Sequence, residues 1–359
     1  MSRTGSVAAV AAAFILTVSM STPAAAATVS EPIIDGLTGP LGLAVGSDGT
    51  VYVTQSSFET FTGTLTAVGK KGTTDLVSAS GATIDGVDAI GKGNVTYATI
   101  GFGEGGFFAE VRRVQPNGTV RVVADTLAFE AANNPDQVNS YGFQGLTADC
   151  AAQVAEAIPD DPGHGEPYAG LVDSHPYGVA LMPDGSTLVA DAGGNDLIRI
   201  DEGGGVSALA VFPPQPVEIT AEIAAAMGVP CVAGSTYNFE PVPTDVELGP
   251  DGLLYVTLLP GGPENPSLGA RGAVYSVDPD SGDVDFVARG FLGATGLAVA
   301  PDGTIYVAEL FGNRISTVSG TGAEPFVDVP LPAAVEWANG RLYATIDVFG
   351  NGSVVTITP

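Results

Sequence analysis

The stretch VAPDGTIYV, Val299–Val307, joins an apolar run to a second apolar run through an Asp-Gly turn. Asp-Gly adopts the positive φ of a tight turn at little cost. The flanking Val, Ile and Tyr favour extended backbone, so the stretch reads as a β-hairpin. Five others repeat it: VGSDGTVYV from Val45, IGKGNVTYA from Ile90, LMPDGSTLVA from Leu181, LGPDGLLYV from Leu248 and EWANGRLYA from Glu336. The turn glycines are Gly49, Gly93, Gly185, Gly252, Gly303 and Gly340. Four short strands need roughly 40 residues, and radial repetition of such units builds a propeller. The pattern therefore predicts an all-β chain, a six-bladed β-propeller forming one domain over residues 28–359. The last unit has room for three strands, so Ala27–Leu37 is expected to supply the fourth and close the ring, removing exposed edges.

The two longest intervals between hairpins hold insertions, at about 127–173 and 213–242. Each contains a short helical stretch, TADCAAQVAEAIP from Thr147 and TAEIAAAMG from Thr220. Thr suits both N-caps, and Gly228 stops the second helix. Cys150 and Cys231 are the only cysteines, and both fall in these insertions. An even count in an exported chain predicts one disulfide, here tying the insertions together. Export is expected because residues 1–27 read as a signal peptide: Arg3, an apolar stretch from Val7 to Met20, then small residues up to a cleavage point after Ala27. No later stretch is long and apolar enough to span a bilayer. With 12 Lys and Arg against 40 Asp and Glu, a net charge of −28, the surface repels phosphate, which excludes nucleic acid as a partner. A secreted monomer meeting an extracellular ligand or protein is the expectation.

The insertions and the longer loops all join strands on one face, which makes that face the expected functional one. Aligning the repeats marks polar outliers there. Asp191 and Glu309 end second strands, with Asn195 and Asn313 four residues on. His175 and Asp245 lead into innermost strands, as does Asp85, with Tyr177 and Asp88 nearby. Oxygen donors with one imidazole suit a divalent cation such as calcium, with Asp191, Asp245 and Glu309 as candidate metal ligands. His175 is the best general-base candidate, because His164 lies in an exposed-looking loop. Glu247 and Glu336 replace alanine on innermost strands, where a buried carboxylate requires a partner or an opening onto the channel.

The units HPYGVALMPDGSTLVADAGGNDLIRI and TGLAVAPDGTIYVAELFGNRI resemble NHL-type propeller repeats. With a helical insertion before SHPYGVAL and the PGGPE…GARG loop, the chain resembles the ScyD/ScyE family, named for proteins linked to scytonemin biosynthesis. That resemblance implies the fold and export but no catalytic residues. Streptogramin lyases and lactonase-like propellers are of similar size and imply the alternative of a metal-assisted lyase or hydrolase. The Glu, Asn and Asp metal set of such lactonases does not map onto this chain position by position.

Overall fold

The computed structural model describes residues 27–90, 94–263 and 266–359. Residues 1–26 of the expected signal peptide and the turn glycine Gly93 lie outside the described residues. Strands β1 (Thr28–Val29) and β2 (Ile34–Leu37) open the described chain. A four-stranded antiparallel sheet follows: β3 (Leu43–Val45), β4 (Val51–Ser57), β5 (Thr62–Gly69) and β6 (Gly72–Ser80). The second sheet is β7 (Ala82–Ala89), β8 (Val95–Gly103), β9 (Gly106–Val114) and β10 (Val120–Asp125).

The first insertion then contributes α1 (Thr126–Asn133), strand β11 (Gly142–Gln144) and α2 (Ala148–Ala157). The third sheet is β12 (Pro176–Leu181), β13 (Thr187–Asp191), β14 (Asp196–Ile200) and β15 (Val206–Val211). The second insertion brings β16 (Gln215–Glu218), α3 (Ala221–Ala226) and β17 (Thr236–Phe239). The fourth sheet is β18 (Pro243–Leu248), β19 (Leu254–Leu258), β20 (Gly272–Val277) and β21 (Val284–Phe291). The fifth is β22 (Ala294–Val299), β23 (Ile305–Glu309), β24 (Arg314–Ser319) and β25 (Gly322–Asp328), touching the fourth through one parallel bridge between Arg289 and Gly322. The last sheet is β26 (Val335–Ala338), β27 (Arg341–Ile346) and β28 (Gly352–Thr358), and both β1 and β2 pair with β28. The N-terminal segment thus joins the last sheet, as the short final unit requires.

The first strands of these sheets, β3, β7, β12, β18, β22 and β26, pack in that order, and β26 returns to β3. The apolar cores lie between neighbouring sheets rather than within any one. Leu65 and Tyr52 meet Ile84 and Tyr97 between the first two sheets. Val111 meets Ile198 across the next gap, and Leu188 and Phe212 meet Val256 across the one after. Phe291 with Leu297, Ile315 with Leu342, and Val53 with Val354 complete the circuit. The inner strands of each sheet are therefore covered on both faces and read as nearly unbroken apolar runs, whereas outermost strands such as β6 and β10 stay largely exposed. The turn glycines Gly49, Gly185, Gly252, Gly303 and Gly340 all take positive φ.

Close approach of the first strands explains a second set of glycines. A Cβ on Gly86 would lie 2.1 Å from the Tyr177 carbonyl, and one on Gly42 would lie 2.2 Å from that of Asp85. No side chain fits there, so these residues set how tightly the ring closes.

The two insertions fold together. β11, β17 and β16 form a three-stranded sheet, and Cys150 is disulfide-bonded to Cys231. Phe143, Val154, Ile219, Ala224, Val229 and Val232 form their shared core. Thr147 and Thr220 accept hydrogen bonds from the amides of Cys150 and Ile223, so both expected N-caps form. The helix α1 is an addition to the sequence reading. Asp125 caps it by accepting from the Ala128 amide, and Asn134 ends it at φ 40°.

Candidate functional site

The central channel is acidic and narrow. Asp88 lies on β7 and Asp245 on β18, and each carboxylate reaches the backbone of the next sheet. Asp88 accepts from the Leu181 amide at 2.6 Å, and Asp245 from the Leu297 amide at 2.9 Å. Burial raises both pKa values, Asp245 to about 7. Glu247 and Glu336 also face the channel, and burial, the charges of Asp88 and Asp245 and, for Glu247, that of Glu336 hold them well above the usual carboxylate range. The free volume among these groups is about 30 Å³, room for one or two waters and not for an organic substrate.

Asp191 and Glu309 occupy equivalent ends of second strands, and local groups engage both. Asp191 accepts from Ser174 Oγ at 2.6 Å and from the amides of His175, Gly193 and Gly194. Glu309 is fully buried, takes two bonds from the Arg314 guanidinium at 2.7 and 3.0 Å, and also accepts from Ser316 and the Leu292 amide. Asn195 and Asn313 both take positive φ, 55° and 52°. Their side-chain oxygens accept from the amides of Val242, directly before β18, and Leu331, four residues before β26. Asp191, Asp245 and Glu309 sit on three different sheets. Among the described residues, no three His, Cys, Asp or Glu are arranged to hold one metal ion.

His175 is a different case. Its Nε2 lies 3.0 Å from Asp85 Oδ2, its side chain is 27 % exposed, and Tyr177 packs edge-on against it at 5.7 Å. Burial pulls the imidazole pKa down, but the Asp85 hydrogen bond and the charges of Asp85, Asp191 and Asp173 outweigh it, leaving the pKa raised. His164 is exposed.

An apolar recess lies elsewhere, between the disulfide-tied insertions and the long loop of the fourth sheet. It encloses about 430 Å³, within the range of small-molecule sites. Ile219, Ile223, Ala226 and Met227 of the second insertion form one wall, Phe143 and Ile158 of the first another, and Leu268 closes it from the fourth sheet. Its aromatic floor is ordered: Tyr237 stands edge-on to Phe143 at 4.8 Å and packs against Phe239 at 4.5 Å. The Arg271 guanidinium lies 4.4 Å over Phe239, and Tyr237 donates to Asp161 at 3.1 Å. Asp160 and Asp161 supply the charge at its edge. The sequence reading placed function on the insertion-bearing face but did not find these residues. Their signal was the apolar side of TAEIAAAMG left over after the helix buries Ala224.

The sequence matches no protein-family model and no curated protein. Solved structures do resemble the fold. One is a PQQ-bound aldose sugar dehydrogenase from Streptomyces coelicolor, at 15% identity and TM-score 0.56, covering 93% of this chain and 98% of the other. A second is a gluconolactonase from Xanthomonas campestris, at 13% identity and TM-score 0.53, covering 91% and 88%. A third is a luciferin-regenerating enzyme, at 13% identity and TM-score 0.53, covering 93% and 95%. The chain is an all-β protein of the β-propeller fold. At these identities the likeness speaks for the fold alone. No helix among the described residues is long and apolar enough to cross a membrane.

Proposed function

We propose that this protein is a secreted, six-bladed binding propeller of ScyD/ScyE type, which takes a small, neutral, largely apolar molecule in the recess between its insertions and the fourth sheet. Each four-stranded sheet counts as one blade, the last completed by the N-terminal segment, and the insertion sheet counts as a cap rather than a blade. The observation that carries the reading is the recess itself: about 430 Å³ walled by Phe143, Ile219, Ile223, Met227 and Tyr237. A water-filled apolar recess of this size gains free energy when an apolar ligand displaces its water. The carboxylates of Asp160 and Asp161 at its edge disfavour anions. The disulfide supports the reading because it holds the two halves of the wall at fixed separation. A thermal-shift panel of neutral aromatic and aliphatic compounds, matched with their carboxylated analogues, tests it. The neutral members are expected to raise the melting temperature and the anions to leave it unchanged. Equal response to both, or to neither, sinks the assignment.

A second reading rests on the His175–Asp85 pair, in which a buried carboxylate orients a partly exposed imidazole, as general acid–base catalysis needs. It would make the protein a lyase or hydrolase. His175 does not line the apolar recess, so this reading needs a separate substrate site. Replacing His175 with Asn should abolish turnover of any substrate found and leave binding in the recess intact.

A further inference from the structure

Glu130 of α1, Asp136 of the 3₁₀ turn Pro135–Val138 and Asp196 of β14 are all 0 % exposed. Five of their six carboxylate oxygens have no hydrogen-bond partner: both of Glu130, both of Asp196 and Oδ1 of Asp136. The remaining one, Asp136 Oδ2, accepts from Asn195 Nδ2 and from the Tyr141 hydroxyl. Asp191, Asp88 and Glu309 are by contrast bonded to a hydroxyl, to an amide and to Arg314.

Oxygens of Glu130 and Asp196 share one space, and the Asp136 charge acts on both groups. A Cβ placed on Gly194 would lie 3.3 Å from both Asp196 Oδ1 and Glu130 Oε2, and 3.6 Å from Asp191 Cγ. Gly194 is not at a positive φ, so this glycine is explained by that space and not by its backbone. The charges that act on Glu130 and Asp196 are carboxylates: Asp191 and Asp136 on both, Asp173 on Glu130, and Glu130 itself on Asp196. Uncompensated buried charge of this density is prohibitive. Either protons or a cation must neutralise it.

We infer that Glu130, Asp136 and Asp196 form a binding site for a hard divalent cation of the calcium class, which pins the first insertion to the third sheet. The donors are oxygen only, with no imidazole or thiolate among them, which selects alkaline-earth ions over zinc or copper. Calcium accepts irregular shells of six to eight oxygens, waters included, and so suits three carboxylates drawn from a helix, a turn and a strand. As the side chains stand, no three acidic groups among the described residues are placed to hold a metal ion, so the inferred site requires Glu130, Asp136 and Asp196 to turn toward the space beside Gly194 as the ion enters. These residues differ from the candidate metal ligands Asp191, Asp245 and Glu309, and the site is independent of the apolar recess.

The mature chain, stripped with EDTA and dialysed at pH 7.5, is titrated with calcium chloride, with magnesium chloride in parallel. Bound metal is measured by mass spectrometry and stability by melting. The expected result is one calcium per chain and a rise in melting temperature of roughly 5 °C once calcium is in hundredfold excess over its dissociation constant. The double variant E130Q/D196N should melt higher than the stripped wild type and bind no calcium. Absence of bound calcium in the wild type overturns the inference, whatever the variant does. So does calcium binding retained by the double variant, and so does a stripped protein that is stabilised by acidification to pH 5 while ignoring calcium, since protons then neutralise the cluster.

Discussion

Asn313 and Asn195 do the same work in two sheets, and this explains why both stand four residues after an acid. Each bends the chain through the left-handed region while its side-chain oxygen holds the segment leading into another first strand. A branched side chain disfavours that backbone, by roughly 1–2 kcal/mol, and also lacks the oxygen. Asn313→Val is therefore expected to lower unfolding free energy by about 2 kcal/mol in a urea titration, and Asn313→Gly by about half as much. Glu309 has a structural reading too. Replacing it with Gln leaves Arg314 without its charged partner, at a cost of about 2 kcal/mol given that Arg314 is 31 % exposed. Metal content should not change in that variant. The sequence pattern marks these positions as polar outliers. It could not show that the oxygens are taken up by backbone amides elsewhere in the chain, because those contacts join residues up to 47 positions apart.

The insertions are the element whose integrity decides the proposed binding. Their core is small, and the Cys150–Cys231 bond closes a separation of 81 residues. Opening it as the double variant C150S/C231S is expected to remove about 3 kcal/mol of stability. The loss should be local: far-UV circular dichroism of the sheets is retained, while proteolysis begins within 142–239 and ligand binding in the recess is lost. Much of this element was legible in advance. Thr147, Thr220 and Gly228 announce the helix ends locally, and two cysteines allow one pairing. The helix α1 was legible in principle, since Asp125 is a capping residue followed by TLAFEAAN. The buried acids were not legible, because Glu130, Asp136 and Asp196 share no spacing and only the fold brings them together.

At the scale of the whole molecule, the ring is held by cores that each belong to two sheets, so closure by β1 and β2 on β28 matters to every sheet. A chain beginning at Gly39 loses these pairings and the buried Leu37, and should lose more than about 3 kcal/mol, read as an earlier, broader melting transition. The pH dependence follows from the acids. Burial and neighbouring carboxylates push Glu130 up to about 8, and burial pushes Asp245 up to about 7. An acid whose folded pKa exceeds its unfolded value binds protons more tightly when folded. Its contribution is therefore full below about pH 4 and lost as pH rises through the folded value. His175, also raised, acts in the same direction. In EDTA the melting temperature should fall steadily between pH 5 and pH 8.5, and E130Q should flatten the upper part of that slope. The repeat and its turn glycines made the sheets legible, since hairpins are local, whereas the recess arises where two insertions meet a loop of the fourth sheet. That recess is the central claim, and titration with the neutral fluorophore N-phenyl-1-naphthylamine tests it most directly. One saturable site in the wild type, abolished by Ala226→Trp without a change in melting temperature, is the predicted result. Absence of saturable binding, or binding that Ala226→Trp leaves untouched, would contradict it.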